Sequence, residues 1–163
     1  MSVSAPATIP TLEVEQPADA AAVEALVTAA FGPGRFAKTA ERLREGARPA
    51  AAFVAREGGG VIGSVRLWSI TVGDTPALFL GPIAVDAAER RSGVGGELVA
   101  ACLAFAREAG TGGVLLVGEP PYFSRFGFGA APQAQMPGPV DQRRVMWAPM
   151  TVDTVVGPVR KAG

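Results

Sequence analysis

A mixed sheet with helices packed on it, an α/β architecture, is predicted by two patterns in this sequence. Strand-like runs joined by glycine-rich turns fill residues 51–85, which makes an antiparallel meander. The last of these runs, 78–85, leads into a glycine-rich turn, an amphipathic helical pattern and a second apolar run at 114–117. Strand–loop–helix–strand is a crossover unit, and it returns its second strand parallel to its first.

Taken in order, residues 1–8 read as a loose tail and Ile9 to Val14 as a first strand. Asp19 is placed to cap a helix. Val23, Leu26, Val27, Ala30 and Phe31 then recur at i, i+3, i+4, i+7 and i+8, one stripe for a core. Gly32-Pro33-Gly34 ends that helix. Phe36, Ala40, Leu43 and Ala47 space a shorter helix, with Lys38, Glu41, Arg42 and Glu45 outward. Ala51 to Arg56 reads as a strand, Glu57-Gly58-Gly59-Gly60 as a tight connection and Val61 to Val72 as the returning strand. Gly73-Asp74-Thr75-Pro76 turns the chain again, into Leu78–Val85. Gly81-Pro82 interrupts this strand. Proline donates no ladder hydrogen bond, so the strand should bulge or part from a neighbour there.

The helix after the glycine turn extends to Ala109. Val94, Leu98, Cys102 and Phe105 share one face, as do Val99, Leu103 and Ala106, a breadth suited to packing on a sheet. Gly110-Thr111-Gly112-Gly113 stops it. Val114 to Val117 is a continuous apolar run, as a buried parallel strand requires. Pro120-Pro121 suits a helix start and Gly127 its end. Residues 132–142, with Pro132, Pro137 and Pro139, read as a loop, and Arg143 to Met150 as a last strand. From Thr151 no pattern is visible. One domain over 9–151 is expected, with 1–8 and 152–163 as tails.

Composition narrows the function. Lys plus Arg and Asp plus Glu are 15 each, so net charge gives no support for nucleic-acid or membrane binding. There is no histidine, which removes a Ser-His-Asp triad, a Cys-His pair and any histidine-ligated metal. Cys102 is the single cysteine and reads as a small buried residue, with no disulfide or thiolate metal cluster. The start lacks a basic segment followed by an apolar one, so no secretory signal is expected and a cytoplasmic protein is the default.

The chemistry concentrates at Arg90-Arg91-Ser92-Gly93-Val94-Gly95-Gly96. A basic, glycine-rich turn opening a helix gathers free backbone N–H groups, the positive end of the helix dipole and two guanidinium groups. That suits a phosphate or pyrophosphate. The Walker pattern is absent, and G-x-G-x-x-G fails at Leu98. Arg/Gln-x-x-Gly-x-Gly/Ala is met by Arg90-x-x-Gly93-x-Gly95. Here the chain resembles the GNAT N-acetyltransferases, whose pyrophosphate loop for acetyl-CoA has that form. A second stretch, Tyr122-Phe123-Ser124-Arg125-Phe126-Gly127-Phe128, is similar to the family's Phe-Tyr-x-Lys-Leu-Gly-Phe. The order of elements also matches, and the resemblance covers nearly the whole chain. It is nearest to the small predicted acetyltransferases with a Leu-Gly-Pro-Ile/Leu-Ala-Val strand and an Arg-Phe-Gly-Phe ending.

The resemblance implies a central mixed sheet of six to seven strands with helices on both faces. Its fourth and fifth strands splay into a V that admits the pantetheine arm, and Gly81-Pro82 marks the expected parting. The backbone of Ile83, Ala84 and Val85 is then free to bond the arm and polarise the thioester carbonyl. The N–H groups of Arg91, Ser92, Gly93, Val94, Gly95 and Gly96 hold the pyrophosphate, and Arg90 or Arg91 either reaches the 3′-phosphate or stays solvated. The family's proton donor is the tyrosine at the second place of its heptad. Here that place holds Phe123, counted with the coenzyme-binding residues. Tyr122, the only tyrosine, stands one residue earlier, a turn of about 100 degrees on a helix, and serves as the acid only if the helix is shifted. A missing acid is tolerable. A thiol has a pKa of about 8.5, and general acid catalysis is worth roughly 10²–10⁴-fold. Glu119 has two readings, a base acting through water and a carboxylate capping the helix at Pro120. Ser124 is a weaker proton-relay candidate.

The function so implied is N-acyl transfer from acetyl-CoA, as co-substrate and without a metal, to a primary amine by direct attack. The alternative is a non-catalytic acyl-CoA-binding sensor or partner-binding module. The acceptor is expected at the first two helices and Gly32-Pro33-Gly34. No charge run or aromatic cage marks that region, so a small amine and a protein amine both stay open. A homodimer is a family-level expectation. Trp147 is read first as core and second as a contributor to such an interface.

Overall fold

The computed structural model describes residues 10–32, 39–89 and 93–162. The expected tail at 1–8, most of the Gly32-Pro33-Gly34 turn, Phe36 and Lys38 lie outside the described residues, as do Arg90, Arg91 and Ser92. Within them the chain forms β1 (Thr11–Val14), α1 (Ala20–Phe31), β2 (Ala51–Glu57), β3 (Gly60–Val72) and β4 (Thr75–Val85). Then follow α2 (Val94–Ala109), β5 (Gly113–Val117), α3 (Pro120–Phe123), β6 (Gly129–Ala130), β7 (Ala134–Gln135), β8 (Val145–Pro149) and β9 (Gly157–Lys161).

β1 to β4 pair antiparallel, each with the next in sequence. The turns at Gly58-Gly59 and Gly73 take positive φ, as hairpin turns with a right-handed twist require. β4 and β5 pair parallel across the α2 crossover. β8 then pairs antiparallel with β5, and β6 with β8. The path β1-β2-β3-β4-β5-β8-β6 is thus a mixed sheet.

Two further strands lie off this path. β9 pairs antiparallel with β3 at Ile70, Thr71 and Val72, and β7 pairs parallel with β9. This corrects the reading of 152–163 as a tail. β2 ends its pairing with β3 at Leu67 and leaves that edge of β3 open. β9 takes the open edge and satisfies backbone groups that would otherwise be stranded beside the core. Val155 and Val159 anchor the segment at 5% and 1% exposure. The valines here, at 152, 155, 156 and 159, do not alternate as strand residues do, and Gly157-Pro158 interrupts them, so the sequence conceals this strand.

Two other expectations change. The short helix expected at 36–47 is, where described, a 3-10 turn at Thr39–Leu43 closed by Gly46 at φ 67°. Of the residues in this turn only Leu43 is buried, too little apolar burial to repay α-helix nucleation. Asp19 does not cap α1 with its side chain. Its carboxylate accepts from the Gln16 N–H at 2.9 Å and from Arg56 Nη2 at 2.9 Å, fixing the turn before the helix.

The sheet separates two apolar layers. On one face α2 buries Val94, Leu98, Val99, Cys102, Leu103 and Ala106 against Ala55, Val65, Leu67 and Leu78. Each such leucine or valine contributes about 1.5–3 kcal/mol by leaving water. α2 comes close at Gly63, where a Cβ would stand 3.0 Å from both Val94 and Leu98. Burial pushes the Cys102 thiol up to about 12. On the other face α1 packs Val23 and Val27 on Val54 and Ala84, while Leu43, Phe79, Leu115 and Trp147 form a second cluster. Trp147 is core, on β8 between β5 and β6. Among the described residues no helix is long and apolar enough to cross a membrane.

Candidate functional site

β4 and β5 pair only through Leu78↔Val114 and Phe79↔Leu115. Beyond them both strands continue, each paired on its outer edge: Ile83, Ala84 and Val85 on β3, Leu116 and Val117 on β8. Their facing edges are unpaired there, and the sheet opens as a V. The cause is local. Between Leu80 and Ile83 the strand carries Gly81 and Pro82 opposite the single Arg66 of β3, which is a bulge. Gly81 has φ 152°, a conformation side-chain-bearing residues rarely adopt, and its peptide to Pro82 is cis. The Trp68 indole N–H donates to the Gly81 carbonyl and fixes the bulge.

At the far end of β4 the chain enters α2 through Gly93, whose φ of 85° is left-handed. The first N–H groups of the helix have no intrahelical acceptors. A Cβ on Gly95 would lie 2.7 Å from the Tyr122 hydroxyl and 3.7 Å from Val85, and one on Gly96 would lie 3.2 Å from the Phe126 ring. Glycine at both places lets the aromatic segment reach the helix start. The Tyr122 ring is held edge-on to Phe123 and Phe126 at 4.9 and 5.4 Å, with the Arg125 guanidinium 4.8 Å above it. Val85, Gly95 and the Tyr122 hydroxyl are therefore brought together at the glycine turn.

A cavity of about 510 Å³ opens at the V. Gly81, Pro82 and Ile83 form one wall and Leu116, Val117 and Phe123 the other; residues 39–44 and 139–144 complete it. Side chains from both layers line it, Leu80 and Phe123 from one and Phe79 and Val117 from the other, so it runs through the split in the sheet. Phe123 is 8% exposed. Its ring fits because residue 118 is glycine, where a Cβ would meet it at 2.3 Å.

The sequence-predicted residues divide accordingly. Ile83 and Phe123 stand on the cavity wall. Val85, Gly95 and Tyr122 meet at the glycine turn, with Gly93, Val94 and Gly96 beside them in the same turn. Ala84 instead points into the α1 layer. Glu119 corrects one of its two readings: it occupies the N-cap of α3 but makes no side-chain cap bond. Its side chain is 71% exposed and meets Arg144 Nη2 at 3.4 Å. Ser124 is exposed and donates to the Pro121 carbonyl at 3.4 Å.

Four charged residues on the cavity wall had no signal in the sequence: Arg42, Arg44, Asp141 and Arg144. Arg42, expected to face outward, donates Nη1 to the Pro137 carbonyl. Arg44 gives Nε and Nη2 to one Glu41 oxygen, at 3.2 and 2.7 Å. Asp141 is gripped by the Arg143 guanidinium at 3.1 and 3.0 Å. That grip, aided by the Arg143 N–H, holds its carboxyl below the usual range.

The comparisons agree with this geometry. A model of the acetyltransferase (GNAT) family matches residues 20–128. The chain is 34% identical over 120 residues to the uncharacterized N-acetyltransferase YhbS of Escherichia coli strain K12, covering 72% of each protein. Its fold is similar to the crystal structure of Escherichia coli YhbS in complex with CoA, with TM-score 0.83, 28% identity and coverage of 99% and 94% of the two chains. A GNAT family acetyltransferase from Brucella melitensis in complex with acetyl-CoA is similar at TM-score 0.75 and 27% identity, covering 95% and 97%. With the splayed strands, the glycine turn and two thirds of its length matched, the chain belongs to the GNAT family of acetyltransferases.

Proposed function

We propose that the protein moves an acetyl group from acetyl-CoA to a primary amine by direct attack. The observation that carries this reading is the continuity of β4: one strand supplies an unpaired edge at the V, the wall of a cavity and, at its end, the turn into α2. The relatives that hold CoA and acetyl-CoA support it. The cradle suits a phosphate-bearing acetyl donor on its own chemistry. First-turn N–H groups, which have no intrahelical acceptors, form the positive dipole end at glycines where added side chains would clash.

In this reading the amine nitrogen bonds to the thioester carbonyl carbon, the C–S bond breaks, its electron pair leaves on sulfur and the amine proton passes to water. The free backbone edge of β4 from Leu80 to Val85 polarises the carbonyl. Arg90, Arg91 and Ser92 take part in phosphate binding with Gly93 to Gly96. The Tyr122 hydroxyl, beside Gly95, serves in holding the donor rather than as the acid. The thiolate leaves unassisted, which its ordinary pKa of about 8.5 permits. Glu119, exposed beside Arg144, takes the amine proton on from the water.

Calorimetric titration with acetyl-CoA and desulfo-CoA tests the donor site, and thiol release with a panel of amines tests transfer. Binding that Gly93→Asp abolishes, together with thiol release, is expected. A folded protein that binds neither coenzyme would sink the proposal. A second reading, a non-catalytic acyl-CoA-binding module, is favoured by Phe123 at the place where the family keeps an acid, on the cavity wall. It predicts coenzyme binding without thiol release for any amine.

A further inference from the structure

The charge on the cavity wall is unbalanced. Arg42, Arg44 and Arg144 face it with one carboxylate, Asp141, which Arg143 already pairs from outside the wall. Arg44 is the most telling of the three. Its side chain is 10% exposed, and its Nε and Nη2 both go to a single oxygen of Glu41. Its Nη1 lies 3.2 Å from the place of a Cβ on Gly81, the residue at which the V opens, and it has no hydrogen-bond partner among the described residues. A guanidinium carries five donors, and a buried one left unsatisfied is costly. Arg42 is tied to a backbone carbonyl and has no carboxylate partner among the described residues. Arg144 meets its carboxylate, Glu119, only at 3.4 Å. The rest of the wall is apolar: Phe79, Leu80, Pro82, Leu116 and Phe123.

We propose that the acceptor is a small amine that also carries a carboxylate on an apolar body, as an amino acid with an aliphatic or aromatic side chain does. This rests on the transferase reading above and names its substrate class. The arginines supply planar donors matched to a carboxylate, and the aromatic and aliphatic wall takes the body. The size of the cavity is in the range of small-ligand sites. The same positive wall disfavours the protonated amine and so leaves more of it as the neutral nucleophile.

The test compares acids with their uncharged amides: phenylalanine against phenylalaninamide and leucine against leucinamide. Binding is measured by calorimetry to the full-length protein, with and without saturating CoA, and thiol release from acetyl-CoA is followed in parallel. Each acid is expected to bind at least about tenfold more tightly than its amide, the worth of a charge-assisted hydrogen bond. That preference should fall below about threefold in Arg44→Gln. Should Arg44→Gln fail to fold, Arg42→Gln, an exposed side chain, is expected to lower the same preference. Equal or tighter binding of the amides overturns the proposal, as does the absence of saturable binding by any acid at millimolar concentration. A retained preference for acids without thiol release counts against the transferase reading alone.

Discussion

The two ends of the V are built in different ways. The glycine-turn end comes from one stretch of chain, β4 through α2, plus the aromatic segment that folds back onto it. Its working groups are backbone N–H groups and unpaired strand edges, and their positions follow from residue spacing. The cavity end is assembled from residues 39–44, 79–83, 116–123 and 139–144, which meet only because β4, β5 and β8 are neighbours in the sheet. Its working groups are side chains, and their direction depends on packing. A site made of backbone leaves a spaced motif, whereas a site made of side chains from distant segments leaves none. The comparison also separates two tasks. One end carries the glycine turn proposed for the donor, and the other carries the charged wall proposed for the acceptor.

The sharpest way to break this division is Gly93→Asp. No atom stands within 4 Å of a Cβ there, so the substitution acts through the left-handed φ and the added charge. Acetyl-CoA affinity should fall by about a hundredfold or more, as several charge-assisted bonds are lost. A left-handed residue with a side chain costs about 1–2 kcal/mol, so thermal unfolding should still report a folded protein. Loss confined to amine binding would reverse the assignment of the two ends.

Gly118→Ala acts on the other end. The new methyl would stand 2.3 Å from the Phe123 ring and drive it toward the cavity. Overpacking of this kind costs about 1–3 kcal/mol. The KM for the amine should rise by about tenfold or more with coenzyme affinity unchanged within about threefold. Equal losses at both sites would show that the two ends are mechanically one.

Tyr122→Phe decides on which side tyrosine works. An acid in the transfer step would take roughly 10²–10⁴-fold from kcat when removed. A hydroxyl that serves at the glycine turn should cost less than about tenfold in kcat and should weaken coenzyme binding instead. The ring packing on Phe123 and Phe126 survives in the variant, so stability should hold.

The smallest effect is a control outside both ends. The Gln16 N–H and Arg56 hold the Asp19 carboxyl below its ordinary value. A depressed carboxylate stabilises the fold above its unfolded pKa, and the contribution disappears as pH falls through the folded one. Asp19→Asn should therefore lower the melting temperature at neutral pH, with the gap to wild type closing below about pH 4. Neither coenzyme nor amine binding should change.

How much was legible follows the same physics. The meander, α2 and β5 stand close to where periodicity and turn residues place them, because one face of each is buried and the pattern is short-ranged. Gly81-Pro82 foretold an interruption of β4, since glycine and proline act on the backbone at their own position. The 39–46 turn escapes a sequence reading because helical spacing of Phe36, Ala40, Leu43 and Ala47 cannot say how many of them find a partner surface. β9 was invisible because its place is an edge of β3 left free by β2, a vacancy made by other strands.

The sequence by itself determined the crossover unit, the glycine turn and the family, since each depends on residue types at fixed spacing along one stretch. Only the tertiary structure decided that the Tyr122 hydroxyl goes to Gly95 while Phe123 goes to the cavity, and that Arg42, Arg44 and Arg144 share a wall with Asp141. Side-chain direction and the meeting of distant segments are set by packing across the sheet, and packing is a property of the whole chain rather than of any window in it.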